Sequence, residues 1–158
     1  MSVNIIRLVV SIAICEGAGV LGSLFTTPSV PTWLASLNKP SFNPPNWIFG
    51  PVWTFLFFLM GVALYIVWSR GLATRGVKTA LLIFGIQLFL NILWSVLFFG
   101  LHLPFAAFIE IIFLWLAILA SIVTFYRVSA TASLLLIPYI LWVSFASVLN
   151  FYLWRLNI

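Results

Sequence analysis

The stretch FAAFIEIIFLWLAILASIVTFY, residues 105–126, decides the fold of this chain. It contains one charged residue, Glu110, in a run that is otherwise almost entirely apolar. A transmembrane α-helix needs about 20 consecutive and mostly apolar residues, whereas shorter apolar runs are typical of helices buried in soluble cores. Residues 105–126 are therefore predicted to cross a membrane as one helix.

The rest of the chain has the same character. Of its 158 residues, 65% are hydrophobic and 6% are charged, with a mean hydropathy of +1.26. Soluble domains carry about 25% charged residues, so lipid must cover much of this apolar surface. We predict an all-α membrane protein in which a single domain, residues 1–158, forms a bundle of five transmembrane helices. The predicted helices are 5–25, 47–68, 79–99, 105–126 and 132–154.

The connections between these segments differ in length. The first, residues 26–46, is rich in proline and longer than is usual between helices of a compact domain, which indicates a functional role. The other connections are short. Pro104 is predicted in the first turn of the fourth helix, where proline is best tolerated. Pro138 lies inside the fifth predicted helix and is expected to kink it.

Basic residues are distributed unevenly between the two ends of the predicted bundle. The N-terminal end, with the second and fourth loops, holds Arg7, Arg70, Arg75, Lys78 and Arg127. The opposite end holds Lys39 and Arg155. Because cytoplasmic loops carry the excess of Lys and Arg, the N-terminus is predicted to be cytoplasmic and the long loop external. The net charge of +5 comes from scattered single residues rather than a basic run, so no nucleic-acid partner is expected.

Two carboxylates fall inside predicted membrane helices, Glu16 and Glu110. Such groups are functional candidates because they are costly in hydrocarbon. A pair could perform acid–base chemistry or carry a proton, or each could be a protonated or hydrogen-bonded packing residue. The sequence has one cysteine, Cys15, and one histidine, His102. We therefore expect no metal site and name no catalytic residue.

Small residues recur every fourth position on the first helix, at Ser11, Cys15, Gly19 and Ser23. Ridges of this kind allow membrane helices to approach closely. The spacing predicts a packing surface, either for another helix of the same chain or for a dimer partner.

Polar and aromatic residues cluster in the half of the bundle beneath the long loop. Gln87, Asn91 and Trp94 share one stripe of the third helix, since they are spaced four and three residues apart. Among the eight tryptophans, Trp53 and Trp142 lie deeper than an interfacial belt requires. Aromatic walls with a few amides describe a pocket for a flat apolar ligand. Helix packing without a ligand is the alternative.

Five motifs give the chain a strong resemblance to the TspO/MBR family of tryptophan-rich sensory proteins, to which the translocator proteins also belong. They lie in order from the first loop to the last helix, at the family's spacing. The motifs are WLASLNKPSFNPP at 33–45, FGPVW at 49–53, LN at 90–91 with Trp94 and FFG at 98–100, PYILW at 138–142, and LNFYLWR at 149–155.

The resemblance implies a five-helix, usually dimeric bundle that binds tetrapyrroles such as protoporphyrin IX or haem, as ligands rather than cofactors. Sterols and benzodiazepine-type drugs are further ligands that it implies, and membrane lipid surrounds the bundle. It places the pocket between the helices beneath the first loop. It implies the cytoplasmic membrane in a prokaryote and the outer mitochondrial membrane in a eukaryote. The residues it assigns to the pocket are Trp53, Asn91, Trp142, Trp94, Gln87, Trp33, Phe145 and Leu149.

The C-terminal motif also matches a cholesterol-recognition pattern through Leu149, Tyr152 and Arg155, although that pattern is weak in general. The resemblance favours a receptor, sensor or transporter-like protein. A porphyrin-degrading, photo-oxidative enzyme is the alternative, since some bacterial members are reported to break down porphyrin. A structural subunit without a ligand is a third hypothesis.

Overall fold

The computed structural model describes residues 4–158 and confirms the predicted bundle. Five helical segments in it are long and apolar enough to span a membrane, and no strand occurs within residues 4–158. The helices are α1 (Ile5–Ser29), α2 (Phe49–Ser69), α3 (Val77–Ser95), α4 (Pro104–Tyr126), α5 (Ala130–Leu134) and α6 (Ile137–Arg155). A π-helical turn extends α1 (Val30–Leu34), another extends α3 (Val96–Gly100), and a 3₁₀ turn precedes α2 (Asn46–Ile48).

The first helix is longer than the sequence predicts. Two prolines that the prediction assigned to the loop, Pro28 and Pro31, lie within helical structure. The prediction ends this helix at residue 25, whereas α1 and its π-helical turn continue to Leu34. Pro28 removes one backbone donor from α1. The Thr32 hydroxyl donates to the Pro28 carbonyl at 2.8 Å, whereas the carbonyl that loses its helical donor because of Pro28 is that of Leu24. The predicted loop 26–46 is thereby shortened.

The last span is divided into two helices near Pro138. Instead of a kink within one helix, α5 ends at Leu134 and α6 begins at Ile137, so that Pro138 falls in the first turn of α6. Proline is tolerated there because the first-turn N–H groups have no helical partner. Pro104 occupies the equivalent place in α4, as predicted.

The helices form a closed ring at one end and spread apart at the other. Helix α1 packs on α2 and α3, α3 on α4, and α4 on α6, while α2 closes the ring against α5. Towards the first loop, α2 and α6 have few close backbone approaches. The break between α5 and α6 lets the second half of the span diverge from α2, and space remains between the helices at that end.

The predicted ridge on α1 is buried within the chain over only part of its length. Ser11 and Cys15 are fully buried, Gly19 is half-buried against the Phe57 ring, and Ser23 is exposed. The buried small residues are Ser11, Cys15, Ala18 and Gly22. A strict four-residue spacing drifts around a helix with 3.6 residues per turn, whereas alternating steps of four and three stay on one face.

The remaining first loop, residues 37–45, is tied across the end of the bundle to the C-terminus. The Asn38 backbone N–H donates to Asn157 Oδ1 at 2.8 Å, and Asn157 Nδ2 donates to the Asn38 carbonyl at 2.9 Å. Phe42 packs edge-on against Tyr152 of α6, with ring centroids 5.3 Å apart. These contacts hold the loop over the spread end of the helices.

Candidate functional site

A cavity of about 460 Å³ occupies the spread end of the bundle. Its walls come from α1 and its π-helical turn, from α2, α3 and α6, and from two asparagines at the first loop, Asn43 and Asn46. Most of the lining is apolar or aromatic, with a few amide and hydroxyl groups among it. Small-molecule sites commonly have this size and this composition.

Two tryptophans from different helices contribute to the wall of the cavity. Trp53 of α2 stacks on Phe57 with ring centroids 5.6 Å apart and meets Tyr139 edge-on at 6.2 Å. Trp142 of α6 packs edge-on against Phe49, 5.9 Å away. Both indoles line the cavity. Because aromatic neighbours fix these rings, they present rigid flat surfaces to whatever occupies the space.

Asn91 brings an amide to the cavity from α3. Its Nδ2 donates to the Tyr139 hydroxyl at 2.8 Å, and this hydroxyl donates to Gln87 Oε1 at 2.9 Å. Tyr139 and Gln87 are almost completely buried and do not line the cavity. The predicted amide stripe is therefore divided: Asn91 faces the cavity, and Gln87 supports it from behind.

Trp94 and Asn150 line the cavity and also link three helices. Trp94 Nε1 donates to Asn150 Oδ1 at 3.0 Å, and Asn150 Nδ2 donates to the Pro104 carbonyl at 2.8 Å. Both ends of the Asn150 amide are thus used within the protein. Helix association is its evident role, and Trp94 offers the cavity its ring rather than its N–H.

The structure brings together five of the predicted pocket residues and separates three others. Trp53, Asn91, Trp94, Trp142 and Leu149 line the cavity. Gln87, Trp33 and Phe145 do not. Phe145 packs behind Trp142, with ring centroids 5.5 Å apart. Contact of any of these residues with a ligand stays a prediction.

Trp33 belongs to a clasp beside the cavity. Its indole stacks on the His102 ring at 4.4 Å, and His102 Nε2 lies 3.2 Å from Ser29 Oγ. His102 has a positive φ of 55°, which is uncommon for a residue other than glycine. The clasp joins the extended first helix to the turn between α3 and α4.

Comparison with known proteins assigns the chain to a family. The family model described as "TspO/MBR family" matches residues 11–155, nearly the whole chain. The chain belongs to the TspO/MBR family. It is 50% identical over 154 residues to "Tryptophan-rich protein TspO" of Archaeoglobus fulgidus, covering 98% of this chain and 99% of that protein.

More distant TspO/MBR relatives are also similar over most of their length. "Translocator protein" of Homo sapiens is 38% identical, over 87% of this chain and 82% of that protein. "Tryptophan-rich sensory protein" of Cereibacter sphaeroides is 34% identical, over 92% and 88%. Family membership and the five apolar helices make this chain an integral, multi-pass membrane protein, and the relatives support a receptor or sensor role.

The sterol-recognition pattern of this TspO/MBR chain is not confined to one surface. Leu149 is buried and lines the cavity, whereas Tyr152 is exposed on the outer face of α6 beside Phe42. Arg155 is exposed at the helix end, with its guanidinium 5.7 Å from the Trp154 ring centroid. A ligand inside the cavity could contact Leu149, whereas Tyr152 and Arg155 lie outside the cavity lining.

The two carboxylates are not brought together in the cavity. Glu16 lines it, whereas Glu110 is buried outside its lining. Neither carboxylate oxygen of Glu110 has a hydrogen-bond partner within residues 4–158. Within the same residues, no three His, Cys, Asp or Glu side chains lie close enough together to hold a metal ion. The acid–base and packing interpretations of these residues both stay predictions.

Several cavity residues were missed by sequence reasoning. Asn43 and Asn46 come from the loop and the 3₁₀ turn, and Phe49 begins α2. Gly22 and Ser95 also line the cavity, and a Cβ on Gly22 would lie 3.1 Å from Ser95 Oγ. The alternating four-and-three spacing of small residues could have revealed Gly22. The position of the loop asparagines depends on how the loop folds back.

Proposed function

We propose that this TspO/MBR protein is a membrane receptor or sensor, or a transporter-like protein, that binds porphyrins such as protoporphyrin IX between its helices beneath the first loop. The observation that carries the proposal is the 460 Å³ cavity with Trp53 and Trp142 as walls and Asn91 as a polar contact. Flat aromatic molecules match such walls, because stacking and edge-on contacts add to the burial of apolar surface.

The names of the relatives point in the same direction. A sensory protein and a translocator protein both need to bind a molecule, and both names occur among the relatives of this chain. Haem, other tetrapyrroles, sterols and benzodiazepine-type drugs belong to the same class of flat lipophilic ligands. We further propose a homodimer surrounded by lipid, since the family resemblance implies one.

Titration with protoporphyrin IX tests the proposal. Purified protein should show saturable quenching of tryptophan fluorescence, and the ligand should raise the thermal midpoint because it binds only the folded state. Trp53→Phe and Asn91→Leu should each weaken binding about tenfold, as expected for loss of one aromatic or polar contact. Trp68→Phe is the control, since Trp68 lies outside the cavity near Arg7.

Equal affinity in wild type and in the Trp53→Phe/Asn91→Leu double variant would contradict the site. If no flat aromatic ligand raised the thermal midpoint, the structural-subunit hypothesis would replace the proposal. Both of these comparisons use the shift of the thermal midpoint, because replacing a tryptophan changes the fluorescence signal itself.

Porphyrin breakdown is a second candidate, favoured by the position of Trp53 and Trp142 on the cavity wall. An enzyme of this kind would break down protoporphyrin IX in light with dioxygen as the oxidant, and product formation would be lost in Trp53→Phe or Trp142→Phe. Absorbance of the porphyrin, followed in light and in darkness, distinguishes breakdown from binding. Unchanged porphyrin after prolonged illumination would exclude this candidate.

A further inference from the structure

Glu16 is an ionisable residue near the middle of the membrane. At 1.5 Å per residue it lies about 16 Å from the start of α1 at Ile5, and the hydrocarbon core of a bilayer is about 30 Å thick. Ionisable groups at this depth are costly, and pairing with an opposite charge stabilises them. Within residues 4–158, Glu16 makes no salt bridge and no side-chain hydrogen bond. The described part of the protein therefore supplies no such partner.

Glu16 belongs to a stripe of α1 that faces the cavity. Positions 16, 19, 20 and 23 lie on one side of a helix, and the residues there, Glu16, Gly19, Val20 and Ser23, all line the cavity. Glu16 is half-exposed, so a ligand can reach its side chain. The Ser23 hydroxyl donates to the Val20 carbonyl of its own helix at 2.7 Å. The carboxyl group is thus the strongest polar group that this stripe offers a ligand.

The same residue sets the charge of the cavity. Among residues 4–158, Glu16 is the only ionisable side chain in the lining, and no Lys, Arg or His lines it. The two basic residues at this end of the bundle are engaged elsewhere: Lys39 Nζ donates to two nearby backbone carbonyls, and the Arg155 guanidinium lies beside the Trp154 ring. The other polar lining groups are neutral, so they distinguish ligands of different charge much less than a carboxylate does.

We propose that Glu16 makes the cavity selective by charge, favouring flat apolar ligands that carry a cationic nitrogen and disfavouring a carboxylate near α1. A bound cation and the Glu16 carboxylate would each supply the opposite charge that the other lacks in hydrocarbon. The inference rests on the proposed function, because it names the ligand charge that the same cavity prefers. Protoporphyrin IX carries its two carboxylates at one edge, and this edge would be turned away from Glu16.

Three pyrene probes of similar size measure this selectivity. The cation is trimethyl(pyren-1-ylmethyl)ammonium, the neutral probe is 1-neopentylpyrene, in which carbon replaces the charged nitrogen, and the anion is pyren-1-ylacetate. Each probe is titrated into wild type and Glu16→Gln in the same non-ionic detergent. Partition into the micelle is then equal for both proteins, and so is any contact with a neutral donor such as the Trp53 N–H. The ratio of the two affinities therefore reports Glu16 alone.

The three probes should respond differently to the loss of the carboxylate. Wild type should bind the cation about tenfold more tightly than Glu16→Gln does, and the anion about tenfold more weakly, as expected for one partly screened charge pair. Affinity for the neutral probe should change less than about threefold, which also shows that the variant keeps its cavity. Glu16→Asp should retain a preference of the same sign, because it retains the charge.

Glu110→Gln is the matched control. Glu110 is the chain's only other acidic residue, and it is buried outside the cavity lining. Its replacement removes the same chemical group from the same bundle, so the order of the three affinities should stay that of wild type. A loss of charge preference in Glu110→Gln as large as that in Glu16→Gln would contradict the assignment to Glu16.

The outcomes separate this inference from the proposed function. Saturable binding of protoporphyrin IX, with equal effects of Glu16→Gln on all three probes or with none, would overturn the inference and leave the ligand cavity standing. A parallel loss of all three probes in Glu16→Gln would assign Glu16 a structural role and also overturn it. Charge-selective binding of the probes without any binding of protoporphyrin IX would support Glu16 and contradict the porphyrin ligand. Absence of saturable binding for every probe and for protoporphyrin IX would remove both.

Discussion

A single side chain, Asn150, joins three helices at the border of the cavity. It accepts from Trp94 on α3, donates to the Pro104 carbonyl at the start of α4, and belongs itself to α6. The residue is 1% exposed, so no solvent can replace these partners. In hydrocarbon or protein interior, an amide that uses both its ends in this way fixes the helices in one arrangement.

Replacing this amide should destabilise the bundle without removing an aromatic wall. We expect Asn150→Leu to lower the free energy of unfolding by about 1–3 kcal/mol, because the Trp94 N–H is left buried without an acceptor. Ser147→Ala is the control on the same helix: its hydroxyl donates only to the Val143 carbonyl of α6 itself, and its effect should stay within about 0.5 kcal/mol. Thermal or denaturant unfolding in detergent measures both.

If Asn150→Leu unfolded at the same midpoint as Ser147→Ala, the three-helix link would have no energetic weight. Asn150→Leu should lower porphyrin affinity only indirectly, through any displacement of the Trp94 ring that loses its hydrogen bond to Asn150. A loss of affinity with unchanged stability would instead indicate that Asn150 contacts the ligand directly.

At the scale of whole helices, α1 and α2 approach one another very closely at one point. A Cβ on Gly61 of α2 would lie 2.6 Å from the Ile12 Cα of α1, closer than side chains can pack. Gly19 of α1 lies equally tightly against the Phe57 ring. At Gly61 the neighbouring atom belongs to the backbone of α1, whereas at Gly19 it belongs to the Phe57 side chain, which can rotate. Gly61 therefore sets the separation of the two helices.

Gly61→Ala should therefore force the two helices apart. We expect a loss of about 1–3 kcal/mol in the free energy of unfolding, as is typical of overpacked cores. Gly85→Ala on α3 is the matched control, since nothing lies within 4 Å of its added Cβ. That change should stabilise the protein by up to about 1 kcal/mol through helix propensity. Equal unfolding midpoints for the two variants would show that α1 and α2 do not depend on this approach.

Helix α1 also shows how a membrane span accommodates proline. Pro28 lies inside it, and the π-helical turn that follows carries Pro31. The Thr32 hydroxyl donates to the Pro28 carbonyl, one turn before it, inside this helical stretch. This extension brings Val30 and Leu34 to the cavity, so the prolines shape its wall as well as its cover.

At the scale of the whole molecule, the two ends of the bundle differ in structure and in charge. The end with the first loop is spread and holds the cavity, while the ring closes through α2 and α5 at the other end. The closed end also holds most of the basic residues. The positive-inside rule predicts that the closed end faces the cytoplasm and that the covered cavity lies on the external side.

Cysteine labelling in intact prokaryotic cells tests this orientation. A membrane-impermeant maleimide should label Ser41→Cys in the first loop and should not label Ala73→Cys between α2 and α3, and both positions are exposed. Wild-type protein should stay unlabelled, because its single cysteine, Cys15, is fully buried. Permeabilised cells provide the control, since both variants should then react. Labelling of Ala73→Cys alone in intact cells would reverse the orientation.

Sequence alone was sufficient to predict the membrane spans. In a bilayer, the backbone N–H and C=O groups of an apolar run such as 105–126 find no water, so they must be hydrogen-bonded within a helix. The sequence also indicated that Trp53, Asn91 and Trp94 lie in the half of the membrane beneath the first loop. It misplaced the end of the first helix, since the continuation of helical structure through Pro28 and Pro31 depends on local geometry that composition does not reveal.

Only the tertiary structure decided which side chains face the cavity. Asn91 and Gln87 share one helical stripe, yet Asn91 lines the cavity and Gln87 lies behind Tyr139. Trp33 and Phe145 were predicted in the pocket and pack beside it. Depth follows from position along a helix, which hydrophobicity fixes. Direction towards a neighbour follows from how five helices rotate and pack, and this depends on contacts between residues far apart in the chain.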